Sequence, residues 1–297
     1  MHISTLLMYT CMVMLSSLLL CAGCYESTLL DLITHEKKTT TASTTYKRNS
    51  YTHTTPISWK VFVASSLADP IQQWSKQTHT YKNQPLRFTI QFAASQTLMH
   101  WVHYGTTPDW LIVADSDYIT RLQAQSSFHW SIPLACTQLC LVIKDSFPLN
   151  LVNTHDQQFH EQWSQINKKI KSIAVAYPQV PLGKYTNLLL DSMMHTHPSY
   201  AHALTNKVKV YGMSARQTLH YLQTNEVNAT IMYVHNALTL QQKYPHLSVI
   251  VFPLSWQPQI TYHLIAYSQQ AAQQWSDAIN LKAFISTHVS HNKDCPF

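Results

Sequence analysis

From Ile57 to about residue 285 the chain repeats one pattern: a short apolar run of strand length, then a stretch whose apolar residues recur at helical spacing. "WKVFVA" gives way to Leu67, Ile71 and Trp74 at i, i+4, i+7, and "RFTIQFA" gives way to Leu98, Trp101 and Val102 at i, i+3, i+4. "WLIVAD", "LCLVIK", "SIAVAY", "KVKVY", "ATIMYV", "SVIVFPL" and "TYHLIAY" follow, several with the same sequel. This alternation predicts an α/β protein with largely parallel sheets, because parallel neighbours need a crossover long enough to hold a helix. No fixed-period repeat is visible, which excludes a solenoid.

A chain of 297 residues suffices for one large domain or for two lobes of about 100 to 150 residues each. Charged residues are only 11% of it, so its surface rests on neutral polar side chains, and the net charge of +6 comes from scattered Lys and Arg. No basic stripe interleaved with aromatics is present, which argues against a nucleic-acid partner. The first 23 residues lack Lys, Arg, Asp and Glu, and Leu6 to Gly23 is almost unbrokenly apolar before Cys24. Residues 1–23 therefore read as an export signal, with Cys24 as the acylated first residue of a lipoprotein. The alternative is an uncleaved single-span anchor. Both place the remainder outside the cytoplasm, in the periplasm or at the cell surface. Residues 24–56, rich in Thr and Ser with interspersed Lys and no apolar face, read as a flexible tether from the lipid anchor to a body that begins near Ile57.

Ligands of open α/β sheets sit beyond the carboxyl ends of strands, where helix N-termini present free amides. Four junctions have that character: Ser66 after "VFVAS", Ser95 after "IQFAA", Leu182-Gly183 after "SIAVAYPQVP", and Ser214, which with Gln217 makes an S-x-x-Q capping box. A single serine at such a place reads as a helix N-cap, and Gln217 as structural. Four together point to a ligand.

In chain order, "VFVASSL", "FAASQTL" with "GTTPDWLIVADSDYITRL", "IAVAYPQVPLGKY" and "NEVNATIMYVHNAL" resemble the ligand-binding segments of the periplasmic molybdate-binding proteins of ABC importers. The resemblance runs from about residue 59 to about 285. It implies a two-lobed periplasmic-binding-protein fold of type II, each lobe a mostly parallel sheet flanked by helices and joined to the other by crossover strands. Lobe I would span residues 57–137 plus about 264–297, and lobe II residues 138–263. It further implies that Ser66 and Ser95 each offer a hydroxyl and an amide to a molybdate or tungstate ion, Leu182 and Ala215 offer amides, and Tyr233 its phenol. The protein would be a monomer without a cofactor, delivering its anion to a membrane permease and its ATPase. A tetrahedral dianion only accepts hydrogen bonds, and all these groups donate; helix N-termini supply partial positive charge without any ionised side chain.

Rival readings remain. A different anion or a small organic solute would suit the same donors, and a sensor lipoprotein could keep the fold without transport. Catalysis finds no support: there is no G-x-S-x-G elbow, Walker loop or G-x-G-x-x-G. His195, His197 and His202 fall in a polar stretch read as a surface loop, not as a convergent metal site. Cys136 and Cys140, if extended, stand about 13 Å apart at roughly 3.3 Å per residue, beyond disulfide reach. That leaves Cys295 as the expected partner of one of them.

Overall fold

The computed structural model describes residues 56–125, 128–145 and 156–290. The expected signal, the acylated Cys24, the tether and Cys295 lie outside them. Among the described residues no helix is long and apolar enough to cross a membrane.

The first sheet begins with β1 (Ile57–Ala64), which runs through a 3-10 turn (Ser65–Leu67) into α1 (Ala68–Trp74). A short edge strand β2 (His79–Tyr81) turns back into β3 (Gln84–Ala93) over Lys82 and Asn83, both at positive φ (49° and 62°). That two-residue turn has the twist of a type I′ hairpin. Then come α2 (Ser95–His103), β4 (Trp110–Val113), α3 (Asp117–Ala124) and β5 (Trp130–Thr137). One residue, Gln138, separates β5 from β6 (Leu139–Ile143), which already belongs to the second sheet.

The second sheet continues with α4 (Asp156–Lys169), β7 (Ile173–Ala176), α5 (Pro181–Thr196), α6 (Pro198–Thr205), β8 (Val208–Gly212) and α7 (Ala215–Gln223). It closes with β9 (Ala229–Tyr233), α8 (Val234–Lys243) and β10 (Ser248–Val251). After a second 3-10 turn the chain returns to the first sheet as β11 (Ile260–Ala266), followed by α9 (Gln269–Ala272) and α10 (Trp275–Val289). The returning strand starts at Ile260, a few residues ahead of the 264 expected from the sequence.

The strand orders are β2-β3-β1-β4-β11-β5 and β10-β6-β9-β7-β8. Both sheets are mixed, which corrects the expectation of mostly parallel ones. Parallel pairing is found in β3-β1-β4 of one sheet and β9-β7-β8 of the other. The strands on either side of the crossings, β5, β11, β6 and β10, pair antiparallel. A chain that passes directly from one sheet to the other has no helix with which to turn round, so it enters running the opposite way. Gln257 pins the two crossings together: its side-chain oxygen accepts from Leu139 N at 2.9 Å and its nitrogen donates to Leu139 O at 2.8 Å.

The inner strands β4, β6, β7 and β9 are buried along their whole length, which is why they read as continuous apolar runs, while β3 and β8 alternate. Trp59, Val61 and Val63 pack on one side of the first sheet with Leu67, Ile71 and Trp74, and α10 covers them with Ala278, Leu281, Ile285 and Val289. Phe62 faces the other side with Leu98, Leu111 and Val113. In the second sheet Leu139, Leu141 and Ile143 face Phe159 and Leu189, while Cys140 and Val142 face Leu222 and Leu240.

Cys136 and Cys140 thus belong to different sheets. Cys136 is disulfide-bonded. Cys140 keeps a free thiol, and burial holds its pKa far above the ordinary thiol value. The stretch holding His195, His197 and His202 is helical, not a loop: α5 runs to Thr196, and Pro198 opens α6 at once.

Candidate functional site

The six parallel strands, three in each sheet, all end at one small pocket between the lobes. Its walls are Ala64, Ser65, Ala94, Ser95 and Ala114, which end or follow β1, β3 and β4, and Val180, Pro181, Leu182, Ala215 and Tyr233, which end or follow β7, β8 and β9. Four of the five residues expected from the sequence are thereby brought together. Ser66 is the exception: Ser65, its neighbour, lines the pocket in its place. The two adjacent serines in "VASSL" leave the choice open until the 3-10 turn settles which one faces the cleft.

Ser66 instead anchors the loop from behind. Its hydroxyl oxygen accepts from Tyr262 Oη at 2.8 Å, and its carbonyl accepts from Asn236 Nδ2 at 2.8 Å and His235 Nε2 at 3.1 Å. A carbonyl only accepts, so this ring nitrogen carries the proton and His235 Nδ1, 3.1 Å from Thr137 Oγ1, takes the other role. Tyr262, His235 and Asn236 were not legible as site residues, because nothing in their local sequence separates them from core and helix positions.

Ser95 is the first residue of α2, not its cap; the N-cap is Ala94, which offers no side-chain bond. The Ser95 hydroxyl accepts from Ala114 N at 3.2 Å, so its own proton remains to be donated. Tyr233 is 1% exposed. Its phenolic oxygen is buried and has no hydrogen-bond partner among the described residues. Burial, then the charges of Tyr262, Tyr185 and Asp115, hold its pKa well above the ordinary tyrosine value, so it stays a donor. The ring lies against His235 (5.8 Å, nearly parallel) and Tyr262 (6.0 Å, edge-on).

The second lobe brings two further helix starts to the pocket. α5 opens with Pro181 after the extended Val180 and has no side-chain cap. Its first turn lies on the end of β7: a Cβ at Gly183 would come within 1.9 Å of Tyr177 O, so only glycine permits the approach. The Leu182 side chain, 1% exposed, is part of the second lobe's core. At α7, Ser214 accepts from Gln217 N at 3.1 Å, while Gln217 Oε1 accepts from Met213 N at 2.7 Å. This is the expected capping box, its return bond placed one residue earlier than usual.

Among the described residues no ionised side chain lines the pocket. The charged residues that neighbour the lining along the chain are paired: Lys184 Nζ lies 2.9 Å from Asp115 and 2.6 Å from Asp117, and Arg216, which follows Ala215, lies 3.3 Å from Asp69. Burial works against the ammonium charge, but the hydrogen bonds and charges of Asp117 and Asp115 outweigh it and raise the Lys184 pKa. His263, 3.2 Å from Ser116 Oγ, is pushed the other way, its pKa lowered by burial and only partly restored by Asp115. Among the described residues no group of three or more His, Cys, Asp or Glu could hold a metal ion.

Residues 59–284 match the family profile described as bacterial extracellular solute-binding protein. The chain belongs to this family. No curated protein matches it in sequence. Among solved structures, the Azotobacter vinelandii periplasmic molybdate-binding protein is similar over 76% of this chain and 92% of its own, at 14% identity and a TM-score of 0.56. The sulfate-binding protein SubI from Mycobacterium tuberculosis H37Rv is similar over 81% and 88%, at 14% identity and a TM-score of 0.59. The bromide-bound regulatory domain of HypT from Salmonella typhimurium is similar over 77% and 97%, at 15% identity and a TM-score of 0.52. Such likeness shows a common two-lobed binding-protein fold. The solute-binding proteins of this family are binding proteins, and their extracellular character suggests a periplasmic site for this member.

Proposed function

We propose that this solute-binding protein captures a tetrahedral oxyanion, molybdate or tungstate, between its lobes and passes it to an ABC permease and its ATPase without transforming it. In this reading the donors are the hydroxyl and amide of Ser95, the amides of Leu182 and Ala215, and the phenol of Tyr233, with the Ser65–Ser66 turn contributing from the first lobe. The protein would be exported, held at the membrane through Cys24, and act as a monomer.

The observation that carries this reading is the Tyr233 phenol, a buried donor without a partner among the described residues, in a pocket that no charged group among those residues lines. An acceptor-only ligand supplies what that hydroxyl lacks. Four rigidly placed oxygens would match donors on both lobes, so an ion too small to touch both would not hold the cleft shut. Sulfate, the ligand named for one structural neighbour, has the same shape and charge and is the second reading.

A thermal-shift screen of molybdate, tungstate, sulfate, phosphate and small carboxylates tests the assignment. A ligand at 1,000 times its Kd stabilises by about 4.1 kcal/mol. That raises Tm by about 8–16 °C for a chain of this size, at roughly 2–4 °C per kcal/mol. The first two ions should give that shift; a shift with sulfate alone selects the second reading, and a shift with carboxylates alone rejects both.

A further inference from the structure

Resting on the reading of the cleft as the ligand site, we propose that Asp115 and Lys184 form a cross-cleft clamp that positions the first turn of α5 over the pocket and sets how long the closed form lasts. Asp115 directly follows Ala114, a pocket wall, at the end of β4 on the first lobe. It is 5% exposed. Both its oxygens accept from Lys184 Nζ, at 2.9 and 3.1 Å, and Asp117 N donates to Oδ1 at 3.0 Å. Lys184 stands on the second lobe, two residues beyond Leu182, in the turn that Gly183 holds against Tyr177. The same strand end is tied to the anion loop of its own lobe through Ala114 N and Ser95 Oγ. One buried carboxylate therefore connects the serine side of the pocket to the amide side.

The Arg216–Asp69 ion pair across the cleft cannot do this. Arg216 and Asp69 meet at 3.3 Å with side chains 55% and 57% exposed, and solvent-exposed pairs contribute little. The Lys184 contact is bidentate on a buried carboxylate, and such a pair is felt strongly when one partner is removed. Neither charge is spent on the ligand. Lys184 already meets two carboxylates, so the clamp changes the population of the closed form and not the donor set; apparent affinity falls in proportion to that population.

The test compares wild type with Lys184→Met, which keeps most of the aliphatic stem, and Lys184→Arg, which keeps the charge. Spin labels on the two lobes, at Gln72→Cys and Gln223→Cys, report the interlobe distance in protein without added anion, and stopped-flow measures association and dissociation of molybdate. In Lys184→Met we expect a broader, longer distance distribution and dissociation about tenfold faster, with association unchanged or faster; Lys184→Arg should restore both towards wild type. Unchanged distances and dissociation would overturn the clamp, as would a loss confined to a salt-sensitive association rate, which marks long-range steering instead. The distance measurement needs no ligand. If none of the anions binds, the functional reading fails while the clamp is still decided.

Discussion

Replacing Tyr233 by Phe separates ligand binding from folding more sharply than any other change at the pocket. The hydroxyl is buried and has no hydrogen-bond partner among the described residues, a situation that costs about 1–3 kcal/mol. The ring itself is held by His235 and Tyr262, contacts that Phe preserves. Losing the hydroxyl should therefore leave the ligand-free protein as stable as wild type or raise its Tm, at about 2–4 °C per kcal/mol recovered. On the proposed function the same hydroxyl would donate to the anion, a bond worth about 1.5–3 kcal/mol, so Kd should rise about 10- to 150-fold. Calorimetric titration with molybdate and thermal unfolding of the free protein read the two effects independently. A Kd within twofold of wild type, or a Tm several degrees lower, would refute the reasoning: the first denies the phenol a ligand, the second gives it a structural partner.

Two further outcomes are expected. Leu182→Ala removes a core side chain and should destabilise by about 2–5 kcal/mol in urea titration, with affinity below the melting range kept within about threefold, because only the Leu182 amide is assigned to the anion; a large affinity loss would place the side chain at the ligand. His263 has a lowered pKa in the fold, so below its ordinary value near 6.5 the unfolded chain gains a proton that the folded chain resists. Stability should fall as pH drops from about 6.5 to the folded-state pKa and change no further on this account below it; His263→Gln should flatten that slope, and an unaltered slope excludes His263 as its source.

Much of the fold is legible in the sequence because burial on both sheet faces writes itself as continuous apolar runs in the inner strands and half-burial as alternation in β3 and β8. Nine of the quoted segments become β1, β3, β4 and β6 through β11. The two strands not anticipated lack that signature. β2 is three residues long, with a turn made by Lys82 and Asn83 in place of glycine, and β5 carries Pro133 and is only partly buried over its first half. The pocket's position follows from strand ends alone, which is why Ser95, Leu182, Ala215 and Tyr233 meet there. What the sequence withholds is orientation. Whether Ser65 or Ser66 faces the cleft depends on a 3-10 turn, and the hold of Asp115 on Lys184 joins residues 69 positions apart that no local pattern links.

The strand order also decides which half can finish first as the chain leaves the ribosome. β5 has only one neighbour in its sheet, β11, which in turn separates it from β4. Every strand of the second sheet lies between Leu139 and Val251. The later-starting half is thus complete while the earlier one still waits for β11, and a polypeptide cut before Ile260 would carry one finished sheet beside another whose edge strand β5 has nothing to pair with.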